Sequence, residues 1–175
     1  MLRRLQSIAL LAAFALTTPA HAKPIPNLKF HDLAGQAQRL DSLRGSITVI
    51  SFWATWCTPC RAELPRLSSL SQQYASKGVR FLAISVDDPK DFPRIQPFFH
   101  QQNIALDVWT GADVDTLDRL HLGDVVPATL ILDKDGEIIG RISGEARDAD
   151  VTGYLDWLLH DRQGPAPAPF LTRHE

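Results

Sequence analysis

A single Cys-x-x-Cys pair, Trp56-Cys57-Thr58-Pro59-Cys60, stands where an apolar strand gives way to a helix, and the chain has no other cysteine. Ile47-Thr48-Val49-Ile50-Ser51-Phe52-Trp53 reads as the strand. Beyond the pair, Cys60, Leu64, Leu67 and Tyr74 recur at helical spacing. Two thiols at such a junction suit the exchange of dithiol and disulfide. Helix N-terminal amides favour a thiolate, so Cys57 is expected to be the attacking sulfur. Cys60, one turn in, is expected to be the partner that closes the ring.

Other uses of two cysteines fit less well. A purely structural disulfide over so short a loop removes little unfolded-state entropy, roughly 2 kcal/mol. A structural zinc ion needs about four ligands, and His31, His100, His121 and His160 are scattered. Covalent haem attachment needs a histidine directly after the second cysteine, where Arg61 stands.

The first residues indicate the compartment. Arg3 and Arg4 precede an apolar run from Ile8 to Leu16, and Ala20-His21-Ala22 has the small-x-small pattern of a cleavage site. Residues 1–22 are therefore expected to be a signal peptide, with the mature chain beginning near Lys23, in the periplasm or otherwise outside the cytoplasm. The apolar run is short of the ~20 residues a membrane span needs, which argues against a retained anchor. Removing it deletes two arginines and no acid, leaving 16 basic and 20 acidic residues, a net charge of −4. That balance argues against nucleic acid as a partner. The remaining length, about 150 residues, suits one domain with its own core. An exported chain of this size needs no disulfide staple, so one Cys-x-x-Cys pair reads as a working pair.

Leu28–His31 and Gln38–Leu40 flank Ala34-Gly35 as a hairpin. Val79–Val86 is nearly all apolar, as in a strand covered on both faces. Phe92–Gln102 reads as a helix with Pro93 in its first turn. Asp107–Trp109 reads as a short strand, and Asp113–Leu120 as a short helix with an acidic start. Ala128–Leu132 and Glu137–Ile142 are two strands joined by the turn Asp133-Lys134-Asp135-Gly136. Asp148–His160 places Val151, Tyr154, Leu155 and Leu158 on one helical face. The core order, β-β-α-β-α-β-β-α, is α/β with helices on both faces of a sheet. A domain over 23–160 is expected, followed by a Pro/Ala-rich tail, 161–175, that composition predicts to be disordered.

Phe52-Trp53-Ala54-Thr55-Trp56-Cys57-Thr58-Pro59-Cys60-Arg61-Ala62-Glu63-Leu64-Pro65 resembles the active-site signature of the thioredoxin superfamily. Within it, the chain resembles the TlpA/ResA branch of extracytoplasmic thiol–disulfide oxidoreductases. Val125-Val126-Pro127 and the hairpin that follows resemble that branch's cis-proline loop. The resemblance spans about residues 24–160. It implies a thioredoxin-like fold: a central mixed sheet flanked by helices, an N-terminal hairpin and an extra segment after Val86. Three positions depart from the pattern. Ser51 stands where thioredoxin has a buried aspartate, Thr58-Pro59 replaces Gly-Pro, and Val126 replaces the threonine that many relatives carry.

The resemblance also implies roles. A glutamate at the position of Glu63 lies near the cysteines in that branch and moves protons. A partly buried carboxylate there suits taking the proton of Cys60; the alternative is a solvated helix carboxylate paired with Arg61 or Arg66. Pro65 corresponds to a kink proline and shapes the helix. A cis bond at Pro127 would turn the Val126 backbone towards the sulfurs, free to pair with a substrate strand. Trp56 is expected to cover the disulfide and offer a flat apolar contact, with core packing as its alternative. Trp53 is expected in the core.

No cofactor is expected beyond the Cys57–Cys60 disulfide itself. With no histidine between the cysteines and Glu63 adding negative charge, the thiolate gains little stabilisation, so a reductant is expected. Its partners would be protein disulfides and a membrane thiol–disulfide electron donor, and a monomer is expected. In the resembled branch such reductants often serve cytochrome c maturation. Two other activities are compatible with the thiols. A peroxiredoxin-like peroxidase would need a proline and a Thr/Ser set before its cysteine, but Trp56 separates Thr55 from Cys57. A copper chaperone would want a Met or His close to Cys57, and none is adjacent.

Overall fold

The computed structural model describes residues 25–173. The expected signal peptide lies outside them. The chain runs β1 (Lys29–Asp32), β2 (Ala37–Arg39), β3 (Ile47–Trp53), α1 (Thr58–Tyr74), β4 (Val79–Ser85), α2 (Ile95–Gln101), β5 (Asp107–Thr110), α3 (Val114–Arg119), β6 (Ala128–Leu132), β7 (Ile138–Ser143), α4 (Asp148–Leu159) and β8 (Phe170–Thr172). No helix among the described residues is long and apolar enough to cross a membrane.

All eight strands form one mixed sheet in the order β2-β1-β5-β4-β3-β6-β7-β8. β3 sits in the interior of that order and all seven of its residues are buried, as its unbroken apolar character predicts. It runs parallel to β4 and antiparallel to β6, and β4 runs parallel to β5. Trp53, Ser85 and Thr110 therefore lie level at the C-terminal ends of three parallel strands. β6 begins at that same end, with Ala128 opposite Phe52.

Alternation along β3 divides the core. Ile50 and Phe52 enter one cluster with Phe30, Trp109, Leu117 and Leu120, under α3 and the N-terminal hairpin. Ile47 and Val49 enter another with Leu67, Tyr74, Val151 and Tyr154, under α1 and α4. Trp53 joins Cys60, Leu64, Phe98 and Phe99, under α1 and α2. This is the expected α/β architecture, with helices on both faces of a mixed sheet.

The structure corrects two expectations. The helix expected over 92–102 is a 3₁₀ turn, Pro89–Arg94, followed by the shorter α2. Pro97 is tolerated because it falls in the first turn of α2, where an N–H has no helical acceptor anyway. The tail expected to be disordered instead docks on the sheet: β8 pairs in parallel with β7, Phe170 beside Arg141 and Thr172 beside Ser143. Arg141 N–H donates to the Pro169 carbonyl and Arg173 N–H to the Ser143 carbonyl, at 3.1 and 2.7 Å. Arg173 also pairs with Asp150, and the Tyr154 hydroxyl donates to the Ala168 carbonyl. Gly144, at φ 90°, permits the approach, because a Cβ there would lie 1.8 Å from the Arg173 carbonyl oxygen. Composition carried no information about the β7 edge waiting for these residues.

Candidate active site

Cys57 is the N-cap of α1, and its sulfur accepts the Cys60 N–H at 3.2 Å. The geometry follows from the local sequence: Thr58 and Pro59 fill the first two helical positions, and Pro59 loses no bond there. The two cysteines form a disulfide. Cys60 is fully buried and Cys57 is 4% exposed. Both cysteines are thus buried, and Cys57 keeps the little exposure that the pair has. Pro65 lies inside α1, which continues to Tyr74.

The Val126–Pro127 peptide bond is cis. It brings the Val126 carbonyl oxygen to 3.5 Å from the Cys57 sulfur. Trp56, 66% exposed, lies on the surface and not in the core, and Val125 is also exposed. A groove of about 360 Å³ runs from Trp56 past Arg61 to Pro93, Pro97 and Phe98. A larger cavity of about 640 Å³ lies beyond Pro93, towards the N-terminal hairpin, and contains neither cysteine. Trp53 is buried and stacks on Phe98 and Phe99.

Glu63 is fully buried. One carboxylate oxygen accepts the Ser51 hydroxyl at 2.9 Å and the other accepts the Ala146 N–H at 2.6 Å. Burial pushes its pKa up to about 7; the Ala146 N–H, the Ser51 hydroxyl and the Arg66 charge oppose that rise. Arg66 does not pair with Glu63. Its guanidinium binds Glu145, Asp148 and the Ala146 carbonyl, clamping the loop that supplies the amide.

Residues 22–141 match the AhpC/TSA family. The chain belongs to that family. Among its relatives, the thiol-disulfide oxidoreductase ResA of Bacillus cereus (strain ZK / E33L) is 30% identical over 133 residues, covering 76% of this chain and 75% of that protein. The ResA of Geobacillus kaustophilus (strain HTA426) is 29% identical over 140 residues, covering 80% and 79%. A thioredoxin-family thiol:disulfide interchange protein from Chlorobium tepidum TLS superposes with a TM-score of 0.67 at 25% identity, over 81% of this chain and 99% of that one. This member of the AhpC/TSA family is accordingly a thioredoxin-like thiol–disulfide oxidoreductase carrying a Cys57–Cys60 pair.

Two groups at the site, Asp87 and the Ala146 amide, are not singled out by the sequence. Asp87 is buried and bonded to Thr55 in the loop before Cys57. A signal for it existed: it follows β4 directly, at the same sheet end as the cysteines. The Ala146 amide left no such trace, because its contacts to Glu63 and to Arg66 span about 80 residues of chain.

Proposed function

We propose that this protein reduces protein disulfides outside the cytoplasm, with Cys57 attacking, Cys60 resolving and Glu63 receiving a proton. The buried Glu63 on the helix that carries both cysteines is the observation that carries this reading. In the first step the Cys57 thiolate attacks one sulfur of the substrate disulfide, and the other substrate sulfur leaves as a thiolate. Cys60 then gives its proton to Glu63 and attacks the Cys57 sulfur. The second substrate sulfur leaves, and the enzyme is left as its disulfide. Two electrons pass to the substrate, whose two thiolates take up protons from solvent; these match the proton Cys57 released on forming its thiolate and the one Glu63 took from Cys60 and returns to solvent. An acceptor of pKa about 7 suits removing a proton from a buried thiol near neutral pH.

The Val126 backbone beside Cys57 and the exposed Trp56 are the surfaces on which a substrate strand would rest. Thr55, which a peroxidase would aim at its cysteine, donates its hydroxyl to Asp87 instead, at 2.8 Å. The oxidised enzyme would be recharged by a membrane thiol–disulfide carrier. By resemblance, its clients would include apoproteins of cytochrome c maturation.

The direction of exchange is tested by equilibrating the protein with glutathione and dithiothreitol buffers. The expected potential lies nearer the ~−270 mV of thioredoxin than the ~−120 mV of a strong oxidant. A value more oxidising than about −180 mV would reverse the proposed direction.

A further inference from the structure

Asp87 is buried, 3% exposed, and none of the ion pairs among the described residues involves it. Burying a carboxylate without a counter-ion costs several kcal/mol unless donors satisfy it. Here the donors come from two places. The Thr55 N–H reaches both oxygens, at 2.9 and 3.1 Å, and the Thr55 hydroxyl reaches one at 2.8 Å. The Ser85 hydroxyl, at the end of β4, donates to the other at 2.8 Å and accepts the Asp87 N–H at 2.9 Å. The Val86 N–H donates to the Trp53 carbonyl at 2.9 Å and extends the β3–β4 ladder up to this point.

The β3–α1 loop is therefore hung from β4 through one side chain. Thr55 is followed by Trp56 and then by Cys57, whose sulfur is held against the Cys60 N–H. If the strand ends only needed joining, an apolar side chain would do so without burying a charge. A carboxylate instead fixes the direction of a backbone N–H and a hydroxyl at once.

We propose that Asp87 is a positioning residue for the thiol chemistry: it locks Thr55 so that the Cys60 N–H stays aimed at the Cys57 sulfur. This rests on the reading of Cys57 as the attacking sulfur. Thiolates are stabilised by such helix N-terminal donors. Loosening the loop should weaken that donor, raise the pKa of Cys57 and make the protein more reducing.

Two substitutions separate positioning from charge. Thr55→Ala removes one donor and leaves every charge in place. Asp87→Asn loosens the loop and also removes a negative charge, which alone would lower the pKa of Cys57. Both variants keep the other charged groups at this end: Arg61 and Glu63 of α1, Asp88 and Arg94 of the β4–α2 connection, and Asp124 before the cis-proline loop. The measurement is the pH profile of alkylation of the reduced protein, with peptide mapping of the labelled cysteine, beside the reduction potential and the melting temperature.

In the parent protein, Cys57 is expected to be labelled first. Labelling of Cys60 first overturns the underlying reading and is seen before any variant is made. Thr55→Ala is expected to move the Cys57 midpoint upward and to slow its alkylation near pH 7 by about 3- to 10-fold. Asp87→Asn is expected to move it the same way. A downward shift in Asp87→Asn means that charge, not positioning, is its contribution. Lower melting temperatures with unmoved midpoints and potentials would make Asp87 a strut of the fold alone. If Asp87→Asn does not fold, Thr55→Ala decides the question.

Discussion

The end of the sheet that carries the cysteines and the edge that carries β8 are both built from polar contacts, yet they use them in opposite ways. At the cysteine end, Glu63 and Asp87 are buried and held by neutral donors. At the β8 edge, Arg173 pairs with Asp150, the arginine retaining contact with water. Buried carboxylates without counter-ions subtract from stability and add reactivity, whereas partly exposed pairs and a docked strand add modest stability and no chemistry. Stability and activity should therefore respond in opposite directions to changes in the two regions.

Glu63→Gln should show the largest effect. The folded-state pKa of Glu63, about 7, lies above the ordinary 4.5, so the folded protein holds this proton more tightly than the unfolded chain. Its contribution to stability is fully present below about pH 4.5 and is lost as the pH rises to about 7, a swing of about 3 kcal/mol. Glutamine keeps the shape, can accept the Ala146 N–H and can donate to Ser51. Denaturant titrations from pH 4 to pH 8 should show this slope in the parent protein and its absence in the variant, which should be the more stable of the two at pH 8. The same change should slow disulfide reduction by about 10- to 100-fold across neutral pH. Superimposable pH–rate profiles would reduce Glu63 to a structural carboxylate.

Removing residues 165–175 should do the reverse. The loss of the β7–β8 pairing, of the Tyr154 hydroxyl's bond to Ala168 and of the Arg173–Asp150 pair should lower stability by about 3 kcal/mol. The exchange rate should be unchanged, because the Arg66 clamp holds the Ala146 loop from α1 independently of β8. A slower reaction in the truncated protein would mean that the two regions communicate through Ser143 and Ala146, and the comparison would fail.

Trp56→Ala should have the smallest effect on the fold. At 66% exposure the ring holds little together, and stability should change by no more than about 0.5 kcal/mol. KM for a protein disulfide should rise by about 5-fold, the scale of one lost aromatic contact, while a small disulfide such as oxidised glutathione reacts as before. An equal loss for both substrates would mean that Trp56 acts on the sulfurs and not on the client.

The parts legible in the sequence were those encoded locally. The unbroken apolar run Ile47–Trp53, the Cys-x-x-Cys helix start and the Asp133–Gly136 turn each have a short-range signature, and each lies where that signature placed it. Glu63 was legible as a position three residues past Cys60, but its burial depended on Ser51 and on the distant Ala146. Asp87 gave no signal of its own, because an aspartate that ends a strand and one that clamps a loop look alike in one dimension. The tail was misjudged for the same reason: prolines forecast a chain without internal hydrogen bonds, but β7 supplied the partners.

An oxidoreductase acting on extended, partly unfolded clients would expose itself to them. The cis-proline loop leads directly into β6, which pairs with β7, and an unpaired β7 would offer a free backbone ladder of its own. Clients laid along it would be held out of line with Cys57, and chains gathered there would stack on one another. β8 occupies that ladder, and Pro165, Pro167 and Pro169 on its approach have no N–H to extend it. That edge is thereby closed by the chain itself, and a client strand would have to find its pairing elsewhere.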